Sequence, residues 1–103
     1  MRKARVFVNG TFTGFLIEVE KSGPYEFNYE PGYTGWPISL TMPVQPSIYH
    51  FDRFPPFFDG LLPEGIMLEG LLRQQKIDQF DYYSQLVAVG NDLVGAVTVV
   101  EEL

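Results

Sequence analysis

Ala4-Arg5-Val6-Phe7-Val8-Asn9-Gly10-Thr11-Phe12-Thr13-Gly14-Phe15-Leu16-Ile17-Glu18-Val19 is the stretch from which the fold can be read. Two runs of β-branched and aromatic side chains meet at Asn9-Gly10. A type I′ turn needs positive φ at both central residues, and Asn-Gly tolerates that at low cost. The stretch therefore predicts a tight β-hairpin.

Working outward, Ser22-Gly23-Pro24 breaks the chain, and Tyr25-Glu26-Phe27-Asn28-Tyr29 then alternates apolar and polar like a half-buried strand. Glu30-Pro31-Gly32 reads as a turn and residues 33–37 as irregular. Ile38 to Met42 alternates again and predicts a further strand, ended by Pro43 and Pro46 because proline cannot donate to a ladder.

From Phe54 the period becomes helical. Pro55 or Pro56 suits a first helical position, with Phe57, Phe58, Leu61 and Leu62 on one face before Pro63 and Gly65 interrupt. A second helix is expected over Ile66 to Lys76, burying Met67, Leu68, Leu71 and Leu72. Gly70 inside it costs about 1 kcal/mol relative to alanine and points to a close packing contact. A third helix is expected from Asp78 as its carboxylate cap, with Phe80, Tyr83, Leu86 and Val87 as its apolar stripe and Gly90 as its stop. Ala96 to Val100 reads as a closing strand. Strands, then helices, then one strand make an α+β order. The expected architecture is a small antiparallel sheet or partial barrel opened by the hairpin, packed by about three short helices and closed by a C-terminal strand, in one domain over residues 1–103.

The chain of 103 residues has room for one core, and with 46% hydrophobic and 16% aromatic residues it has the material to fill it. It contains no cysteine and a single histidine, which leaves no disulfide, thiolate nucleophile or cysteine-bound zinc and makes a transition-metal site improbable on inventory. No cofactor is expected. The apolar run behind Met1-Arg2-Lys3 is too short for a signal peptide. The eight residues from Leu93 to Val100 are too few to span a bilayer, so a cytoplasmic protein is expected. The net charge of −6 arises entirely beyond residue 50, where nine acidic side chains face three basic ones. Phosphate backbones repel such a surface, so direct nucleic-acid binding is not expected.

Enzyme readings find little support. His50 lies in a proline-bounded stretch with no nucleophile-elbow pattern nearby. Asp59 and Glu64, five apart around a Pro-Gly-rich turn, could flank a sugar, but capping and solvation explain them more simply. Gly90 to Val97 has two glycines five apart but no following Lys-Ser/Thr, and it leads into a strand rather than a helix, so it is no phosphate loop. Tyr29, Tyr33 and Trp36 could form a stacking platform for a glycan or peptide, against the default that most aromatics of a small domain are core.

The segment from Phe54 to Met67 is different. One short helical face cannot bury all its phenylalanines and leucines together with Ile66 and Met67, and surplus apolar groups at a turn point to a partner contact. FPPFFDGLLPEG resembles the F-x-x-F-F-x-x-LLP-[DE] signature of the N-terminal domain of the HipA family of toxin kinases. VFVNGTFTGFL, ISLTMPV and VGNDLVGAVTVV resemble that family's other segments, in order. The resemblance spans nearly the whole chain. It departs at Leu103, where HipA-type proteins continue into a kinase core, so no catalytic residue carries over. A stand-alone copy is similar to HipS, the small antitoxin of three-part HipB–HipS–HipT systems.

The resemblance implies an antitoxin that docks on a HipT-like Ser/Thr kinase and inhibits it by protein–protein contact. It also implies that a HipB-like helix-turn-helix partner supplies DNA binding. On this reading Phe54, Phe57, Phe58, Leu61 and Leu62 are structural. Pro63, Glu64, Gly65, Ile66 and Met67 form the contact, with Ile66 and Met67 as apolar anchors and Glu64 meeting a basic group of the kinase. The alternative is a non-catalytic module for another peptide or glycan.

Overall fold

The computed structural model describes residues 1–93 and 95–102. The strands are β1 (Arg2–Val8), β2 (Thr11–Glu18), β3 (Tyr25–Tyr29), β4 (Tyr49–Phe51) and β5 (Val97–Glu102). The helices are α1 (Pro56–Asp59), α2 (Gly65–Gln75) and α3 (Tyr82–Val89), all lying between β4 and β5 in the chain. The fold is α+β, as expected. The sheet is open rather than a barrel, in the order β4-β3-β2-β1-β5, with every neighbouring pair antiparallel.

The hairpin forms at the expected turn. Asn9 and Gly10 both take positive φ, 50° and 79°, and Val8 pairs directly with Thr11. The register then shifts at Val6/Phe7, so that Val6 faces Gly14 and Arg2 faces Glu18. This bulge inverts which β2 side chains point inward. Leu16 and Glu18 are buried on the core side, whereas Phe15 and Ile17 are half-exposed on the other face. The core face also carries Ala4, Val6, Tyr25, Phe27, Tyr29, Val97 and Val99, and it packs against Phe54, Phe58, Tyr83 and Leu86. On the outer face Phe12 lies 5.8 Å from Phe7 and 5.1 Å from Phe15, and the Lys3 ammonium sits 4.3 Å from the Phe15 ring.

Three expectations need correction. Ile38 to Met42 is not a strand: it makes one isolated bridge, Ser39 to Met42, and Tyr29 holds it instead. The Ile38 amide donates to the Tyr29 hydroxyl at 3.0 Å, and that hydroxyl donates to the Met42 carbonyl. Its alternating pattern arises because Ile38 and Met42 are buried under a tyrosine, not because they pair with a strand. The strand that does pair is the short β4, in which Phe51 faces Tyr25.

The second correction concerns α2, which buries no residue fully. It packs beside α3 rather than over the sheet, so Leu68, Leu71 and Leu72 are half-buried and Met67 is exposed. Nothing approaches the place where a Cβ on Gly70 would stand, so that glycine marks no packing contact. Third, Asp81 rather than Asp78 caps α3. Its carboxylate accepts from the Ser84 amide at 3.2 Å and the Ser84 hydroxyl at 2.7 Å, while Asp78 accepts from the Phe80 amide one turn earlier. The helix therefore starts past Phe80, which projects outward at 62% exposure and is no part of a buried stripe.

Candidate partner-binding surface

Phe54 and Phe58 anchor the segment that carries the site. Phe54 is buried edge-on to Tyr25 at 5.2 Å between centroids, and Phe58 is fully buried 6.0 Å from Phe27. Phe57 is half-buried against Phe58 at 5.2 Å. α1 is only one turn long, yet it follows a proline with φ already suited to a helix entry, and its end is wound tightly. The Leu61 amide donates to the Phe58 carbonyl and the Leu62 amide to that of Asp59, at 3.0 and 3.1 Å. Leu61 and Leu62 are thereby placed half-buried on the flank of the core, outside the helix expected to hold them.

The chain then turns outward. Pro63 is half-buried, Glu64 is extended and exposed, and Gly65 enters α2 at a φ of 59°, which favours glycine. Ile66 and Met67 follow at 85% and 76% exposure. Two adjacent large apolar side chains so far from any cover are unusual in a domain with this much core. Of the five contact residues expected from sequence, Pro63 is half-buried and Glu64, Gly65, Ile66 and Met67 are exposed at the entry to α2.

Beside that turn lies an apolar groove of about 530 Å³, walled by Leu61, Leu62, Pro63 and Met67 on one side and by Val89 and Leu93 on the other. Asp92 stands in its lining. Val89, Asp92 and Leu93 were not among the expected site residues. They are more than twenty positions from the turn, and only the return of α3 toward β5 brings them there.

The remaining candidates do not assemble. Tyr29 is buried with its hydroxyl engaged. Tyr33 stacks on it at 5.9 Å and donates to the Trp36 carbonyl, and Trp36 itself points into solvent at 79% exposure. A cleft of about 250 Å³ is lined by Tyr29 and Tyr33 but not by Trp36, so the three rings make no common platform. His50 is exposed on β4 with its Nδ1 3.4 Å from Glu26. Asp59 ends α1 and Glu64 precedes α2, and neither side chain has a hydrogen-bond or ion-pair partner among the described residues.

Sequence reasoning also missed a polar junction between sheet and helix. The Arg2 guanidinium donates to Glu18 at 2.6 Å, to Ser84 at 2.7 Å and to Asp81 at 2.9 Å, and it lies 4.4 Å from the Tyr83 ring centre. Burial alone would push the Asp81 carboxyl up. The hydrogen bonds from Ser84 and Arg2 outweigh that and hold it below the usual carboxylate range. Burial also raises the Tyr83 hydroxyl well above an ordinary tyrosine, with the nearby Glu101 charge adding to the effect. The bulge conceals this junction from the sequence, because an unshifted hairpin would set Arg2 opposite Ile17.

A single antiparallel sheet with its helices gathered between the fourth and fifth strands, and an apolar turn displayed beside an open groove, define a small α+β domain. The chain belongs to the HipA N-terminal domain family, whose model matches residues 4–100. An uncharacterized protein of Haemophilus influenzae is 36% identical over 102 residues, a match that covers 99% of this chain and 94% of that protein. The structure is similar to that of the N-terminal domain of HipA toxin, with a TM-score of 0.77 and 32% identity over 100% of this chain and 94% of that one. In this family the domain is a non-catalytic one, and the family sets a toxin–antitoxin context. No helix among the described residues is long and apolar enough to cross a membrane.

Proposed function

We propose that this chain is an antitoxin that binds and inhibits a HipT- or HipA-like Ser/Thr kinase in the cytoplasm, by protein–protein contact and without chemistry of its own. The observation that carries the reading is the exposure of Ile66 and Met67 on a turn that follows a segment anchored in the core by Phe54 and Phe58. Because the backbone of the turn is already ordered, binding has mainly the side chains left to immobilise, which favours affinity. Glu64, two residues before Ile66 and exposed, would meet a basic group on the kinase. DNA binding by the larger complex falls to a HipB-like helix-turn-helix protein, since this acidic chain would be repelled by phosphate.

Truncating one such anchor typically costs roughly 2 kcal/mol of binding. The test is to mix the purified chain with a HipA-type kinase lacking its own copy of this domain, and to follow complex formation and phosphorylation. A stable complex with silenced kinase is expected, lost in the Ile66→Ala/Met67→Ala double variant. Two separate species with undiminished phosphorylation would refute the proposal, and full rescue by the double variant would refute the assignment of the turn.

A further inference from the structure

The apolar walls beside the turn remain open although the core behind them is filled. Leu61, Leu62 and Leu93 pack against the core with one side and face the groove with the other. A volume of about 530 Å³ falls within the range of roughly 300–1,000 Å³ typical of binding clefts. Its one charged lining residue is Asp92, and the segment forming its opposite wall is bracketed by Asp59 and Glu64. Among the described residues none of these three carboxylates has a side-chain partner, and no lysine or arginine lines the groove.

We infer that the groove is a second binding element, which receives an aliphatic or aromatic side chain of the partner kinase flanked by a lysine or arginine that meets Asp92. The inference rests on the proposed function and deepens it: the turn contacts the kinase outwardly, while the groove takes a kinase residue inwardly, with Met67 shared by both. Apolar walls whose one charged lining residue is the Asp92 carboxylate select for an apolar segment with a basic neighbour, and they disfavour an acidic one. A second copy of this chain is a poorer occupant, because its own surplus charge is negative.

The test compares the affinity of the kinase for the wild-type chain, Asp92→Lys, Leu93→Gln and the Ile66→Ala/Met67→Ala variant by titration calorimetry at two salt concentrations, with urea unfolding of each chain alone. Asp92→Lys and Leu93→Gln are each expected to weaken binding about tenfold, and Asp92→Lys to flatten the salt dependence. Methyl resonances of Leu61, Leu62 and Leu93 should shift when kinase is added. These signals decide the matter even if Leu93→Gln folds poorly. If only the turn variant binds more weakly and those methyls stay put, the groove assignment is overturned while the antitoxin reading stands. If the wild-type chain binds no kinase, both fall. Concentration-dependent dimers of the free chain, broken by Leu93→Gln, would assign the groove to a second copy and overturn the inference.

Discussion

The Val99 amide donates to the Gly90 carbonyl at 3.0 Å, which ties the closing strand to the residue that ends α3. A Cβ built on Gly90 would overlap the Val99 carbonyl oxygen, a backbone atom that cannot swing aside. This contact sets how closely α3 approaches the sheet, and it fixes the start of the loop that carries Asp92 and Leu93 to the groove. Gly90→Ala is therefore expected to destabilise the domain by about 2–3 kcal/mol. Urea unfolding of the variant would show this as a lowered midpoint, and an unchanged midpoint would contradict the packing.

Gly70 is the opposite case. It lies within α2 with nothing within 4 Å of the position a Cβ would take. Gly70→Ala removes backbone entropy from the unfolded chain and adds no clash, so it should stabilise the domain by about 0.5–1 kcal/mol. Thermal melting checks the sign.

Phe58 is fully buried between Phe27 and Phe57. Replacing it by alanine leaves a ring-sized void in a core of few elements, at an expected cost of roughly 3–5 kcal/mol. That is a large fraction of the stability of so small a domain. The same measurement on Ile66→Ala should show almost no change, because Ile66 is exposed. Core and contact roles within one motif separate in this comparison.

Asp81 couples the fold to acid. Its carboxyl is held below the ordinary value of about 3.9, so its stabilising effect is present in full above that pH and is lost as pH falls through the lower native value. Asp81→Ala should cost about 1–2 kcal/mol at pH 7 through loss of the α3 cap. The gap between variant and wild type should narrow from pH 5 toward pH 2, as measured by urea titration at each pH. A gap independent of pH would show that the carboxylate's charge is not what matters.

Local chemistry and global packing divide the explanation of this fold between them. Asn9-Gly10 announces its hairpin because positive φ at two successive residues is a local cost that few pairs meet. The order of strands and helices and the apolar surplus at Ile66 and Met67 were legible for similar reasons, because prolines, glycines and apolar content act within a few residues. The early end of α1 at Asp59 and the exposure of Met67, expected on the buried side of α2, were not. The bulge in β2 was not legible, because Thr13 is displaced only when the facing strands compete for one core. That displacement reverses the roles of Leu16 and Phe15 and creates the Arg2–Glu18 pairing. Ile38 to Met42 misled for a related reason. Burial beneath Tyr29 produces the same alternation as strand pairing, and a pattern of period two cannot distinguish them.

The sequence by itself determined the hairpin, the α+β order and the apolar surplus of the Phe54–Met67 segment, since each depends on steric preferences and apolar content over short spans. Only the tertiary structure decided the sheet register, the detachment of α2 from the core and the groove that joins Leu61 and Met67 to Val89 and Leu93. Those features come from chain segments far apart in sequence meeting at one surface, and no local preference encodes such a meeting.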